Sequence, residues 1–236
     1  MFKLYASCDP IYLHDHAPAL IASAAEANNN LHIHIINGGG EEVRFMNGLR
    51  QKWEKMTDAA LSYTWDKQFA IGMTPAENRT IFACDRFVTV TDIIVKNNTN
   101  SYLIIDVDCL IMKHIEEPKA DIGLFFREPL PGTVGWENAG TRIAAGAVYY
   151  SPSSYLFVLQ VDERIRRGPY AWFLDQIALN EAYEDNKNKY TFEKFTPEFL
   201  DWEFKEETTI WTGKGPRKYD NPTYVAKKQH FDRMMR

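Results

Sequence analysis

The first sixty residues alternate between strand-like and helix-like patterns, and this alternation restricts the fold more than any other feature of the sequence. Residues 2–7 alternate apolar and polar side chains, residues 17–28 are rich in alanine and leucine, and residues 31–37 are β-branched. A glycine turn at residues 38–40 then precedes an amphipathic segment at about 43–57. A β-α-β-α order of this kind predicts a largely parallel sheet with helices on its faces.

Later segments of the chain carry further helix and strand patterns, with no internal repeat and no linker between them. We expect further helices at residues 77–96, 153–167 and 171–184, and further strands at residues 101–106, 120–126 and 144–151. Hydrophobic residues make up 45% of the chain, which is enough for one sizeable core. The sequence therefore predicts a single α/β domain over residues 1–236, with a mixed, mainly parallel central sheet flanked by helices.

The composition and the N-terminus exclude several classes of protein. A net charge of −5 gives no broad basic field, so we expect no nucleic-acid partner. Cys8, Cys84 and Cys109 are odd in number and lack CxxC spacing, which indicates a reducing compartment. The N-terminus has no signal-peptide pattern, and no apolar stretch approaches the roughly 20 residues of a membrane helix. We therefore expect a cytoplasmic protein with no integral membrane segment.

The most informative residues are Asp106, Val107 and Asp108, which directly follow the apolar run at 101–105. Ligands of open α/β sheets bind at the carboxyl ends of strands. Two Asp at i and i+2 of an extended segment point the same way, so they can hold one hard divalent cation. Such a cation would neutralise a bound diphosphate and stabilise it as a leaving group. A solvated pair of strand-end carboxylates is the alternative, although burying unpaired carboxylates is costly.

A D-x-D sequence after an apolar strand is also typical of phosphatases of the haloacid-dehalogenase type, in which the first Asp is the nucleophile. Those enzymes usually place this strand close to the N-terminus. Here about 100 residues of α/β pattern precede Asp106, and no later acidic pair completes the phosphatase pattern. The phosphatase therefore stays as the alternative function at this point.

Five further motifs stand on either side of the D-x-D sequence. They are ASCDPIY (6–12), RF (86–87), AAGAVYYSP (144–152), WFLDQIALNEAY (172–183) and TIWTGKGPRK (209–218). In this order, from residue 2 to about residue 218, they resemble the motifs of nucleotide-sugar glycosyltransferases with the GT-A fold, particularly those of family 8. The resemblance implies a GT-A-like, Rossmann-like domain.

The resemblance also implies which residues form the site. Asp175 and Gln176 would lie at the donor sugar, as the catalytic pair. The residues implied to bind the nucleotide or its diphosphate are Ala6, Ser7, Cys8, Asp9, Tyr12, Arg86, Asp106, Val107, Gly213, Lys214, Arg217 and Lys218. Residues 1–108 would form the nucleotide-binding half, residues 109–218 the donor-sugar and acceptor half, and residues 219–236 a basic C-terminal helix or tail.

One departure from the family concerns the metal site. The C-terminal loop of the family supplies a histidine as the third metal ligand, beside the two D-x-D carboxylates. Here we assign Ile210 or Trp211 to the histidine's position, and neither side chain can bind a metal. Either an extra water completes the coordination of Asp106 and Asp108, or His230 in the basic tail replaces the missing ligand.

Together these features predict a glycosyltransferase that uses Mn²⁺ or Mg²⁺ and transfers a hexosyl group from a nucleotide-diphosphate sugar, most simply a UDP-sugar. The acceptor would be a saccharide or another small molecule, and the resembled family retains the anomeric configuration. Besides the phosphatase, a nucleotide-sugar-binding protein without turnover is an alternative, because the loop histidine is missing. The sequence does not specify the oligomeric state.

Overall fold

The computed structural model describes residues 1–67, 74–96, 99–128, 140–213 and 215–236, and strands and helices alternate among the described residues up to residue 105. The helices are α1 (Pro10–Glu26), α2 (Gly40–Trp53), α3 (Pro75–Lys96), α4 (Tyr155–Arg167), α5 (Leu174–Asn186) and α6 (Pro222–Met234). The strands are β1 (Phe2–Cys8), β2 (Leu31–Ile35), β3 (Leu61–Trp65), β4 (Ser101–Ile105), β5 (Leu110–Ile111), β6 (Ile122–Phe126), β7 (Ile143–Tyr150), β8 (Phe192–Phe195), β9 (Leu200–Asp201) and β10 (Ile210–Trp211). Short 3₁₀ helices span Pro152–Ser154 and Gly215–Asp220.

Seven strands form one sheet, in the order β3-β2-β1-β4-β7-β6-β8. Strand β2 pairs in parallel with both β1 and β3, while β6 pairs in parallel with β8 and antiparallel with β7. Every residue of β4 is buried, as expected for a strand covered on both faces. The predicted α/β class with a mainly parallel central sheet is therefore confirmed.

A smaller sheet has the strand order β5-β10-β9. Its strands are two residues long each, and β10 is antiparallel to β5 and parallel to β9. Such short pairings leave no periodic pattern in the sequence, which explains why none of the three was predicted. They join the chain just after the D-x-D sequence to the C-terminal region.

The chain divides into two compact units, each built from separated segments. The first unit comprises Met1–Phe2, Ala70–Ile104 and Glu117–Phe195, and it contains α3, α4 and α5 together with β6, β7 and β8. The second unit comprises Lys3–Phe69, Ile105–Glu116 and Thr196–Arg236, and it contains α1, α2 and α6, the strands β2 and β3, and the small sheet. Within the described residues, no helix has the length and apolar character needed to cross a membrane.

Helices α1 and α2 both begin earlier than the sequence pattern predicts, because polar groups cap their first turns. The Asp9 carboxylate accepts a hydrogen bond from the Tyr12 backbone N–H at 2.9 Å, and Pro10 fits the first helical turn. Helix α1 therefore begins at Pro10 instead of residue 17. In the second case the Glu42 carboxylate accepts from the Gly39 N–H at 2.7 Å, so the glycine run opens the helix.

A buried serine of α1 fixes the chain that follows the D-x-D sequence. The Ser23 hydroxyl donates to the carbonyl of Leu20 and accepts from the N–H of Ile111, both at 3.0 Å. Six residues along, the Asn29 side chain accepts from the N–H of Ile115 at 3.1 Å. Ser23 of α1 and Asn29, three residues after the helix, thus satisfy two buried backbone donors in the chain at 111–115.

His32 connects β2 to its neighbours within the second unit. Its ring stacks on Tyr5 at 5.3 Å, and its two nitrogens hydrogen-bond with the hydroxyls of Ser62 and Thr64 at 2.9 and 3.0 Å. Burial lowers the pKa of His32 to about 4, and Lys3 and His34 act in the same direction. The imidazole is therefore neutral in the folded protein at neutral pH.

We expect the stability of the protein to decrease as the pH falls from about 6.5 to about 4, in part because of His32. In that window the unfolded chain, with an imidazole pKa of about 6.5, binds a proton that the folded state excludes. Replacing His32 by Gln should flatten the decrease by on the order of 2 kcal/mol, measured as the free energy of unfolding in urea at several pH values. His14→Gln, at an exposed position of α1, is the control. Parallel pH profiles for wild type and His32→Gln would contradict the assignment.

Candidate active site

The end of β1 and the start of α1 carry the first predicted nucleotide-binding residues. Ala6, Ser7 and Cys8 are buried in β1, while the Asp9 carboxylate caps α1. Tyr12 stands in the first turn of α1 and is 48% exposed, so its ring is available to a ligand. The predicted binding roles of these residues stay predictions, with Tyr12 the member whose side chain faces solvent most openly.

The D-x-D sequence forms a turn directly after β4. The N–H of Cys109 donates to the carbonyl of Asp106 at 3.1 Å, which closes a four-residue turn. Val107 and Asp108 are therefore in a turn and not in an extended segment, so the alternation of side chains along a strand does not apply to the two carboxylates. Val107 is buried, whereas Asp106 and Asp108 are both partly exposed. The turn ends the buried strand and places two carboxylates at the carboxyl end of β4.

The carboxylate of Asp108 is paired with the ammonium group of Lys218. The side chain of Lys218 is only 3% exposed and also lies over the ring of Tyr219, with 5.4 Å from Nζ to the ring centre. The hydroxyl of Tyr224 donates to the backbone carbonyl of Asp108 at 3.1 Å. A predicted phosphate-binding lysine and a predicted metal ligand thus contact each other, and each neutralises the charge that burial makes costly in the other.

Two glycines shape the loop that carries Lys218. A Cβ atom added to Gly213 would lie 2.2 Å from Cδ of Lys218, so the lysine occupies the space that a side chain at position 213 would need. Gly215 has φ of +55°, a left-handed backbone that favours glycine. Arg217 is exposed on the same loop, and Lys214 lies outside the described residues.

The position of the missing loop histidine is corrected by the spacing of this loop. The resembled family has the pattern H-x-x-G-x-x-K in this loop, and counting back from Gly215 and Lys218 puts the histidine position at Thr212, not at Ile210 or Trp211. Thr212 is buried and forms a hydrogen bond with the Cys109 thiol. Ile210 and Trp211 instead form β10.

Histidines elsewhere in the second unit do not complete a group of three ligands around the turn. Among the residues that the structure describes, no third His, Cys, Asp or Glu is close enough to share an ion with Asp106 and Asp108. His230 is exposed on α6, where its ring packs edge-on against Phe231 at 5.4 Å between ring centres. Its role as a third ligand stays a prediction.

His16 is a residue of this region that the sequence analysis missed. Its buried ring lies 5.0 Å from that of Tyr12 and 6.4 Å from that of Tyr219, and its Nδ1 has no hydrogen-bond partner. Burial lowers its pKa to about 4; Lys218 acts in the same direction and Asp108 against it. The signal was present, because Tyr12 and His16 are four residues apart on one helix and share a face.

In the first unit, three of the predicted motifs meet at Arg86. The guanidinium group of Arg86, on α3, donates to the carboxylate of Asp175 on α5 and to the carbonyl of Ala145 on β7, both at 3.1 Å. The side chains of Arg86 and Asp175 are each 10% exposed. Burial raises the pKa of Asp175, and the charge of Arg86 opposes that shift. The order of motifs along the sequence therefore corresponds to proximity in space within this unit.

Unpartnered polar atoms lie in the same unit. The N–H of Gln176 donates to Asp175 at 2.8 Å, but its side-chain Oε1 is buried without a hydrogen-bond partner, as is the hydroxyl of Tyr150. A buried polar atom without a partner costs roughly 1–3 kcal/mol, so each of these two atoms is a candidate for a hydrogen bond from a ligand. Burial raises the pKa of the Cys84 thiol to about 12, which excludes a reactive thiolate.

Comparison with known proteins identifies the fold. No protein-family model matches the sequence, and no curated protein matches it. Among solved structures, the galactosyltransferase LgtC, determined with donor and acceptor sugar analogs, has a TM-score of 0.63 at 10% identity, over 100% of this chain and 95% of that one. A glycosyltransferase involved in glycosylation of the major capsid of PBCV-1 has a TM-score of 0.55 at 9% identity, over 97% and 98%. The chain has the fold of these glycosyltransferases.

A third glycosyltransferase extends the comparison. The apo form of GlyE from Streptococcus pneumoniae TIGR4 has a TM-score of 0.58 at 12% identity, and the match covers 99% of this chain and 61% of that one. The predicted GT-A-like glycosyltransferase fold is therefore confirmed, and at these sequence identities the comparison concerns the fold alone.

We expect Lys218→Met to raise the affinity of the protein for divalent cations. The substitution removes the cation beside Asp108, and a buried charge that loses its partner destabilises a fold by about 3–5 kcal/mol. Mn²⁺ should then restore part of that stability, so thermal denaturation with and without Mn²⁺ should show a larger Mn²⁺ effect in the variant than in wild type. Arg217→Met is the control on the same loop. Equal Mn²⁺ effects in wild type and Lys218→Met would contradict a competition between Lys218 and the divalent cation for Asp108.

We expect the removal of Arg86 and the removal of Asp175 to lower the free energy of unfolding by different amounts. Asp175→Asn leaves a buried guanidinium, which cannot lose its proton, and should destabilise the protein by about 3–5 kcal/mol. Arg86→Met leaves a carboxyl group that can protonate, so its cost should be smaller at pH 5 than at pH 8. The sign follows because the folded pKa of Asp175 is raised, and stability is then lost as the pH rises above the unfolded value of about 3.9.

Urea denaturation of both variants at pH 5 and pH 8 measures this difference. Arg166→Met is the matched control, since Arg166 pairs with Asp162 at 2.8 Å but is half exposed. An Arg86→Met protein whose stability relative to wild type is the same at both pH values would show that the carboxyl group of Asp175 stays ionised without its partner.

Proposed function

We propose that this protein transfers a hexosyl group from a UDP-sugar to an acceptor hydroxyl, with the help of a divalent cation. The observation that carries the proposal is the Asp106–Asp108 turn, with the buried Lys218 against it, in a chain that has a glycosyltransferase fold. LgtC, a neighbour of that fold, was determined with donor and acceptor sugar analogs, which supports a two-substrate reaction for this chain as well.

Lys218 and Arg217 are the residues that we assign to the diphosphate of the donor. Transfer breaks the bond between the sugar and the diphosphate, so negative charge develops on the leaving phosphate oxygen. Lys218 is already desolvated, and its ammonium group interacts more strongly with a phosphate there than it would in water. Arg217 is exposed on the same loop, where its guanidinium group can contact two phosphate oxygens at once. Tyr12, with its exposed ring, is assigned to the nucleobase.

Asp106 and Asp108 are the residues that would hold Mn²⁺ or Mg²⁺. Carboxylate oxygens suit both ions, and Mg²⁺ sites commonly use one or two carboxylates together with substrate phosphates and water. The residues present therefore fit such an ion without a protein histidine, which agrees with Thr212 at the loop position. When bound, the cation would supply charge neutralisation for the leaving diphosphate.

Arg86, Asp175 and Gln176 are the residues that we assign to the donor sugar. The hydrogen bonds from Arg86 fix the Asp175 carboxylate, and Gln176 Oε1 is free to accept a hydrogen bond from a sugar hydroxyl. Retention of the anomeric configuration is proposed on the family 8 resemblance. A buried carboxylate already paired with Arg86 is a weak nucleophile, so Asp175 acts in this proposal through hydrogen bonds to hydroxyls.

A protein that binds a nucleotide sugar without turnover is the second candidate. It is favoured by the pairing of Asp108 with Lys218 and by a loop position, Thr212, that offers no imidazole. In that case nucleotide and metal would bind, but neither transfer nor hydrolysis of the donor would follow.

Thermal stabilisation by nucleotides tests the proposal first. Wild type, Asp106→Asn and the control Asp220→Asn, an exposed residue, are heated with UDP, GDP, CMP or ADP, each with and without Mn²⁺. A ligand at 100 times its Kd adds about 2.7 kcal/mol to the free energy of unfolding. We expect UDP with Mn²⁺ to stabilise wild type and the control but not Asp106→Asn. No response to any nucleotide would contradict the proposal and favour the phosphatase.

Turnover separates the remaining candidates. Release of UDP from a UDP-hexose measures hydrolysis or transfer. NMR of the anomeric proton of the product then gives the stereochemistry of the reaction. UDP binding without release would indicate the binding protein. Hydrolysis of p-nitrophenyl phosphate that is lost in Asp106→Asn would instead indicate a phosphatase.

A further inference from the structure

Phe204, in the loop between β9 and β10, has a backbone conformation that a phenylalanine rarely adopts. Its φ is +62°, in the left-handed region. The Asp201 carboxylate accepts hydrogen bonds from the N–H of Glu203 at 2.7 Å and from the N–H of Lys205 at 2.8 Å. These two residues stand on either side of Phe204, so the carboxylate holds the strained backbone from both sides.

The ring of Phe204 is buried against α6. Phe204 is 7% exposed, and its ring centre lies 4.8 Å from that of Tyr224 and 5.8 Å from that of Trp211. The indole N–H of Trp211 donates to the carbonyl of Lys205 at 2.6 Å, which ties the loop to β10. Tyr224 is fully buried. The ring of Tyr224 therefore packs against an aromatic side chain whose own position is fixed by the loop.

Tyr224 in turn holds one peptide group of the D-x-D turn. Its hydroxyl donates to the carbonyl of Asp108 at 3.1 Å. The N–H of the same peptide group belongs to Cys109, and it donates to the carbonyl of Asp106, also at 3.1 Å. Because a peptide group is planar, hydrogen bonds to both its C=O and its N–H fix its orientation. The backbone that carries the Asp108 carboxylate therefore depends on the hydroxyl of Tyr224.

Core packing alone does not account for this arrangement. A buried contact between two rings needs no hydroxyl at position 224, and a ring at position 204 can be buried from an unstrained backbone. Strained backbone positions are concentrated at functional sites, where the surrounding structure holds them. Here the strained residue is connected through Tyr224 to a carboxylate that we assign to the divalent cation.

We propose that Phe204 and Tyr224 are positioning residues for the divalent cation. Phe204 fixes the ring of Tyr224, and Tyr224 fixes the peptide group that presents Asp108. This inference rests on the proposed function and adds two residues, outside the motifs of the sequence, on which the metal affinity of the site depends. Both act through Asp108 and not by binding the cation themselves.

Amide hydrogen exchange, followed by NMR in the ligand-free protein, tests the hold on the turn. Tyr224→Phe removes only the hydroxyl, and Phe204→Leu removes the ring but keeps an apolar side chain. We expect the Cys109 N–H to exchange about tenfold faster or more in both variants, because its peptide group loses a restraint. The amides of β2, in the same unit, should change less. Phe231→Leu, at another buried position of α6, is the control and should leave the Cys109 N–H at its wild-type rate.

Metal binding separates positioning from a purely structural role. In the presence of UDP, the Kd for Mn²⁺, measured from the EPR signal of the free ion, should rise about tenfold or more in Tyr224→Phe and Phe204→Leu. It should not change in Phe231→Leu. The affinity for UDP without metal, measured by calorimetry, should be equal in wild type and Tyr224→Phe, because the hydroxyl serves Asp108 and not the nucleotide. A general loss of stability would not separate the two affinities in this way.

The outcomes distinguish this proposal from the transfer function. Unchanged exchange of the Cys109 N–H in Tyr224→Phe overturns the positioning role, even if UDP binds. Faster exchange with an unchanged Kd for Mn²⁺ also overturns it, because the contact is then structural only. A wild-type protein that binds no UDP with Mn²⁺ overturns the transfer function, and faster exchange in both variants then still supports the positioning of Asp108 by Phe204 and Tyr224.

Discussion

The ion pair between Asp108 and Lys218 is the interaction on which the candidate active site of the second unit depends. A buried ammonium group is costly unless a carboxylate accompanies it, so the loop that carries Lys218 must stay closed on the turn that carries Asp108. The surrounding residues serve this contact: Gly213 leaves room for the lysine, and Tyr224 binds the carbonyl of Asp108. Ser23 anchors the strand that leaves the turn. The position of the D-x-D residues is thus set by the C-terminal region as much as by β4.

In the first unit, too, a buried carboxylate is paired with a cation, here the guanidinium group of Arg86. Arg86 reaches Asp175 and Ala145, which belong to two separate elements, and so fixes α3, α5 and β7 together. An arginine is always charged and presents its donors in a rigid fork. The ammonium group of a lysine is a point charge on a flexible stem, so it can change partner more easily. We therefore interpret Arg86 as a permanent structural partner that also orients Asp175. In the proposed function, Lys218 is the cation that exchanges Asp108 for a substrate phosphate.

The sequence predicted the parts of this molecule that have a local or periodic cause. The runs at 2–7, 31–37 and 101–106 became strands because their side chains suit a sheet covered on both faces, and the order of motifs predicted a fold that three glycosyltransferases share. The partner of Asp108 was not predicted, since Lys218 lies 110 residues further along the chain. The turn at Asp106 and the buried His16 were missed although their causes are partly local. The early starts of α1 and α2 depend on single capping side chains, which a periodic pattern does not contain. The roles assigned to the site residues stay predictions.

In the proposed function, Lys218 couples the binding of a divalent cation to the binding of a diphosphate. A divalent cation that approaches Asp108 meets a carboxylate already neutralised, and a diphosphate that attracts Lys218 leaves that carboxylate bare. Each ligand therefore removes the obstacle to the other, which makes the coupling between them positive and reciprocal. A protein with the proposed function would therefore bind free metal weakly at low concentration and bind the metal–nucleotide complex as a unit.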